Sequence, residues 1–194
     1  MAVKKKKKRR KKIATPLTPA QRRAKREKKQ HPLLVRRMFS DLGFQRCATD
    51  GTHFQVNGRS GELDDVYVYE NIIVMVETTA AEDLTGHLTR KMPFYNKILA
   101  DVPGFIQLLH NTFPEFGKLL SSKFSHHQYR VKVLYAPLGA PDAEIQTACS
   151  NIGFMYGRTK KYFCAIAAAI QRSARFEFFR FLGLELASGI WTVS

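Results

Sequence analysis

Asp64 and Glu77 stand thirteen positions apart, and the residues between them are those a hairpin needs. The stretch runs Gly61-Glu62-Leu63-Asp64-Asp65-Val66-Tyr67-Val68-Tyr69-Glu70-Asn71-Ile72-Ile73-Val74-Met75-Val76-Glu77-Thr78-Thr79. Val, Ile and Tyr favour a pleated, half-buried surface, and Asn71 suits a turn. The pattern predicts strands over Leu63–Val68 and Ile72–Glu77, joined at Glu70-Asn71. Such a hairpin brings Asp64 at one end beside Glu77 at the other. Two carboxylates so placed can share a hard cation such as magnesium or manganese, an arrangement suited to phosphodiester hydrolysis. Successive side chains of a strand alternate in face, so Asp64 and Asp65 cannot both point to one site. By the same parity Glu62 could join Asp64. The same acids also read as a solvated strand entrance, with Glu77 an ordinary strand-end charge.

The elements around this hairpin fit one folded domain. Leu33, Leu34, Met38, Phe39 and Leu42 follow a helical period that ends at Gly43. Thr52–Val56 alternates as a strand and is closed by Asn57-Gly58, a hairpin signal. Thr79-Ala80-Ala81-Glu82 reads as a capping box opening a helix striped by Ala81, Leu84, Leu88 and Met92, broken or kinked at Pro93. Further helices are predicted at Phe105–Phe113, capped by Pro114, at Ala143–Asn151, and as one long element over Lys161–Leu182; Tyr129–Tyr135 is a strand. The expected class is a mixed α/β (α+β) fold, a central mixed sheet flanked by helices.

Charge is distributed unevenly. The chain has 194 residues and a formal net charge of +16. Residues 1–37 carry seventeen Lys/Arg and one acid, Glu27, while the rest carries equal numbers of each sign. We read residues 1–31 as a basic arm ending at His31-Pro32, and 32–194 as the folded domain. The run Lys4, Lys5, Lys6, Lys7, Lys8, Arg9, Arg10, Lys11 and Lys12 repels itself and has little to bury. Residues 1–20 are expected to be disordered when free, with Gln21–Gln30 helical against a polyanion. Nucleic acid is the natural partner, bound through phosphates with strong salt dependence, DNA before RNA. A solubilising tail or an acidic protein partner is the alternative. No secretory signal or membrane span is apparent, so the expected place is the cytoplasm, the nucleoid of a bacterium or the nucleus of a eukaryote. Cys47, Cys149 and Cys164 are too few and too far apart for a disulfide framework or a Cys-based zinc site. His126-His127 reads as loop. Lys160, Lys161, Arg172 and Arg175 read either as a basic track or as the wet face of the last helix.

The order helix, three strands, helix, strand resembles the core of the PD-(D/E)XK, or restriction-endonuclease-like, nucleases (αβββαβ). Gly61-Glu62-Leu63-Asp64 matches a common form of that family's first motif, and Val74-Met75-Val76-Glu77 matches the apolar strand before its second acid. The close match spans residues 58–79. The chain is also similar, around Lys161-Tyr162-Phe163 and Ser173–Phe179, to the N-terminal region of some bacterial DGQHR-domain proteins. The nuclease resemblance implies that Asp64 and Glu77 hold one or two magnesium ions, with the Thr78 carbonyl completing the shell and Glu62 nearby. Where the family places a catalytic lysine, this chain has Thr79. Some members move that lysine to the following helix, which makes Lys91, beside Arg90, the replacement. Lys91 lies twelve residues on, about 18 Å along a straight helix, so it reaches the acids only if the helix folds back over the sheet. Thr79 then serves as a helix N-cap. His87, one turn before Lys91, either lines the helix edge or faces the site as a proton shuttle. Three functions follow: a magnesium-dependent DNA nuclease, a non-catalytic relative that binds nucleic acid, or a basic-armed member of a nucleoprotein assembly.

Overall fold

A computed structural model describes residues 16–121 and 124–184. Seven helices and seven strands are found there, in the order α1 (Pro19–Asp41), β1 (Gln45–Cys47), β2 (His53–Val56), β3 (Arg59–Glu62), β4 (Asp65–Tyr69), β5 (Ile72–Thr79), α2 (Leu84–Ala100), α3 (Val102–Thr112), α4 (Pro114–Ser121), β6 (Arg130–Pro137), α5 (Ala143–Ala148), β7 (Ile152–Phe154), α6 (Gly157–Ala169) and α7 (Gln171–Phe181). The fold is mixed α/β. A five-stranded sheet has the order β1-β4-β5-β6-β7, antiparallel from β1 to β5 and parallel from β5 to β7.

Strand alternation divides the core in two. Val66, Val68, Ile73, Met75, Val133 and Tyr135 pack toward α2, α3 and α4. Tyr67, Val74, Val76, Leu134 and Ala136 pack toward α1, α6 and α7. Tyr67 stacks on Phe39 at 4.0 Å between centroids, and Phe54 lies against Phe113, so both serve packing. Glu70 takes a positive φ of 50° at the β4–β5 turn, which fits its place in a two-residue hairpin loop.

Several expectations are corrected. The strand at 52–56 does not belong to the central sheet: it pairs with β3 in a separate hairpin, turned at Asn57 and Gly58 with φ of 46° and 77°. Its place in the large sheet is taken by the three-residue β1, too short to leave a periodic signal. The hairpin leans on α2 so closely that a Cβ on Gly61 would stand 2.5 Å from the Phe94 ring. Helix α2 starts at Leu84, capped by Asp83, whose carboxylate accepts from the Gly86 N–H at 2.7 Å. Thr79 is therefore the last residue of β5, not a cap. α2 runs on through Pro93 because Phe94, Tyr95 and Ile98 beyond it are buried. Pro114 opens α4, a helix not anticipated, and the short strand β7 was not anticipated either.

The last long helix is two helices that meet at the non-helical Ile170. No Gly or Pro marks that break. It lets Phe163 and Ala167 on one side and Ala174 and Phe178 on the other all be buried. α1 likewise crosses His31-Pro32 without ending, and His31 is 2 % exposed. The start of α1 is specified by a capping box: the Thr18 hydroxyl accepts from the Gln21 N–H at 3.2 Å, and the Gln21 side chain accepts from the Thr18 N–H at 2.9 Å. Cys47 and Cys149 are buried free thiols. Among the described residues no helix is long and apolar enough to cross a membrane. Lys4–Lys12 and the tail beyond Leu184 lie outside the described residues.

Candidate active site

The β4–β5 register pairs Asp65 with Val76. Asp64 lies one residue before β4, and its charge acts on Glu77 and on His87 and Tyr95 of α2. Asp64 is oriented by Thr78, whose N–H and hydroxyl both donate to Oδ2, at 2.8 and 2.9 Å. Glu77 is 3 % exposed. Its Oε2 accepts from the Tyr95 hydroxyl at 2.7 Å and from Lys91 Nζ at 3.1 Å, while His87 Nε2 stands 3.4 Å from Oε1. Lys91 also donates to the Glu62 carbonyl at 2.9 Å.

The helix thus does fold back across the sheet. Its cap at Asp83 and the Gly61–Phe94 contact fix the return, and His87, Lys91 and Tyr95 then lie at i, i+4 and i+8 on one side of α2. Lys91 is held between the acid and the hairpin. Thr79, by contrast, turns its hydroxyl to a local task, accepting from the Ala81 N–H at 3.1 Å. It supplies no group to the acid pair.

Burial is the main reason that the Glu77 carboxyl is pushed up to about 7, and the neighbouring Asp64 charge adds to the shift. Lys91 and Tyr95 oppose it without cancelling it. Tyr95 is itself held well above its ordinary pKa by burial and by Glu77, so it keeps its proton and remains a donor. Burial, then Lys91 and Arg90, lowers the His87 pKa, which favours the neutral ring. His87 Nδ1 lies 3.2 Å from the Tyr135 hydroxyl.

Glu62 does not join the acids. Its carboxylate pairs with His53 at 2.8 Å, across the β2–β3 hairpin. The parity expectation fails because β3 and β4 belong to different sheets, and alternation does not carry across Leu63-Asp64. Thr78 enters through its N–H and hydroxyl, in contact with Asp64. Among the described residues no group of three or more His, Cys, Asp or Glu side chains is placed to hold a metal ion. The remaining set is two neighbouring carboxylates, with one lysine on Glu77. That chemistry fits a magnesium-like cation, which takes one or two carboxylates and keeps several waters.

An open cavity of about 430 Å³ lies beside Lys91 and His87, lined by these two with His53, Ser60, Gly61, Glu62, Arg90 and Phe94. Two features were not anticipated. Tyr95 reads in sequence as one more apolar position of α2, yet its hydroxyl is the closest partner of Glu77. Asp65, on the opposite face, is bound by Arg36 at 2.8 Å and by Arg46. Both arginines are remote in sequence, so nothing local announces them. The sequence matches no protein-family model and no curated protein.

Proposed function

We propose that this chain is a metal-dependent phosphodiesterase acting on DNA, built on a restriction-endonuclease-like core. The observation that carries this reading is Lys91, a lysine from the following helix, standing 3.1 Å from Glu77, on which the Asp64 charge also acts. The sheet order and the antiparallel-then-parallel pairing of β4, β5 and β6 support it further. Asp64 and Glu77 would hold magnesium or manganese, which when bound polarises a phosphate and acidifies a water. Thr78 fixes Asp64, and Tyr95 fixes Glu77. Lys91 offers the positive charge that Thr79 cannot, near where a phosphate oxygen gains charge. His87, neutral and beside Glu77, can hold or pass a proton at Nε2. A DNA substrate places this work in the nucleoid or the nucleus.

The test is cleavage of duplex DNA by the purified chain with magnesium or manganese, beside Asp64→Asn and Lys91→Met. We expect Asp64→Asn to lose cleavage together with metal binding measured by calorimetry. Lys91→Met is expected to keep metal binding and lose cleavage by about 10²–10³-fold, the usual effect of removing one transition-state donor. Cleavage that survives Asp64→Asn sinks the proposal. A second reading, a DNA-binding relative without turnover, is favoured by the engagement of both Glu77 oxygens by His87, Lys91 and Tyr95. It predicts salt-sensitive binding and no metal-dependent cleavage.

A further inference from the structure

Residues 19–30 of α1 touch nothing that buries them. All twelve are exposed, and burial begins at His31. They form about 18 Å of helix, roughly the rise of five base pairs. Arg22, Arg23, Lys25, Arg26, Lys28 and Lys29 lie on this stretch with a single acid, Glu27. At 3.6 residues per turn the six cations cover an arc of about 220°. The remaining arc holds Ala20, Ala24 and Glu27, in line with the buried His31, Val35 and Met38. Glu27 acts on His31 and on Lys160 of α6, so this arc faces the body and the cationic arc faces away.

The point of departure is also fixed. His31 Nε2 bonds the Ala136 carbonyl at 2.7 Å, and Lys160 Nζ stands 3.0 Å from Nδ1. Ala136 pairs in register with Thr78, the residue that holds Asp64. The basic helix therefore leaves the body at the end of β5 and β6 where Glu77 and Thr78 lie, over the sheet face opposite α2.

We infer that the first three turns of α1 are a preformed helix that seats in the major groove of B-form duplex DNA, anchoring the duplex at the end of the sheet that carries the acid pair. With side chains an α-helix is about 10–12 Å across, and the B-DNA major groove is about 12 Å wide. A cationic arc wider than half the circumference reaches phosphates on both walls of a groove. A flat surface or a single strand engages only one side of it. The major groove of A-form RNA is deep and narrow and does not admit such a helix. The assignment of DNA rests on the phosphodiesterase reading above and extends it to double-stranded, B-form substrate.

Binding of the full chain to a labelled DNA duplex, the matching single strand and the matching RNA duplex is measured by fluorescence anisotropy, with EDTA present to prevent cleavage. Ala24→Pro/Gln30→Pro keeps every charge and breaks the helix. We expect this double variant to bind duplex DNA about tenfold more weakly or worse, with single-strand and RNA-duplex binding nearly unchanged. A second variant, with all six cations changed to Gln, keeps the helix. Its slope of log affinity against log salt on duplex DNA should fall by up to about five. Thermal unfolding of both variants reports on the folded body. Duplex affinity indifferent to the two prolines overturns the inference, since a flexible polycation then suffices. Equal losses on all three ligands, or an RNA duplex bound as tightly as DNA, overturn it too. Helix-dependent duplex binding without cleavage in magnesium keeps this inference and sinks the nuclease reading. Cleavage with proline-indifferent binding does the reverse.

Discussion

At the entrance to β4, Asp65 turns toward α1 and Asp64 toward α2. Asp65 is 1 % exposed and is met by two guanidinium groups, one of which, Arg36, also reaches Asp50 at 3.8 Å. The hydrogen bond to Asp65 raises the Arg36 pKa further. That acid is neutralised from within the chain. Asp64 instead acts on a second carboxylate, Glu77, and it is Glu77 that Lys91 meets. Lys91 and His87, which meet Glu77, also line the adjoining cavity. The same residue type is therefore paired with two cations on one face and set near another acid on the other.

The comparison breaks most easily at stability. Asp65→Ala leaves Arg36 and Arg46 together without their buried counterion, and a broken buried pair costs about 3–5 kcal/mol. Asp64→Ala relieves the repulsion on Glu77 and frees a part-buried Thr78 N–H, so its net effect should stay within about 1 kcal/mol. Urea unfolding of both variants measures the difference. Equal destabilisation would make Asp64 a structural acid like its neighbour and remove the reason for a cation.

Much of the acid pair was legible because it rests on local rules. The Glu70-Asn71 turn brings Asp64, just before β4, and Glu77 to the same end of the hairpin, and Asp64 and Asp65 find different partners there. Lys91 was legible as a charge of the right type, but its position depends on Gly61 letting the hairpin approach Phe94, a contact between remote segments. Glu62 was misplaced because a change of sheet between β3 and β4 leaves no mark in the hydrophobic pattern. Tyr95 was overlooked because a buried tyrosine looks like any apolar position until its hydroxyl has a partner. The helix beginning at Pro19 had a signal, Thr18-Pro19-Ala20-Gln21, hidden within a segment that reads first as a charge run.

The next effect is smaller and depends on pH. An acid with a raised folded pKa binds protons more readily in the native state, so stability falls as pH rises from the ordinary value of 4.5 to about 7, and the cost is complete above that. The shift corresponds to roughly 3 kcal/mol. Glu77→Gln removes the charge and should be more stable than the wild type at alkaline pH, by up to that amount, with the difference gone at acid pH. Magnesium should reverse the order by stabilising only the wild type. Unfolding curves at both pH values, with and without magnesium, check this. A variant no more stable than wild type at alkaline pH would mean that Lys91 and Tyr95 already neutralise Glu77, as the arginines neutralise Asp65.

The smallest effect tests where the acidic site ends. Glu62 pairs with His53 on an exposed surface, with side-chain exposures of 45 % and 77 %, and such pairs contribute about 0–1 kcal/mol. Its link to the site is its main-chain carbonyl, which accepts from Lys91 and survives any side-chain change. Glu62→Gln should therefore leave stability within about 0.5 kcal/mol and magnesium affinity unchanged in calorimetry. A clear loss of metal affinity would mean that the Glu62 carboxylate swings from His53 to the cation, adding a third acid to the α2 face and widening its contrast with the self-neutralised α1 face.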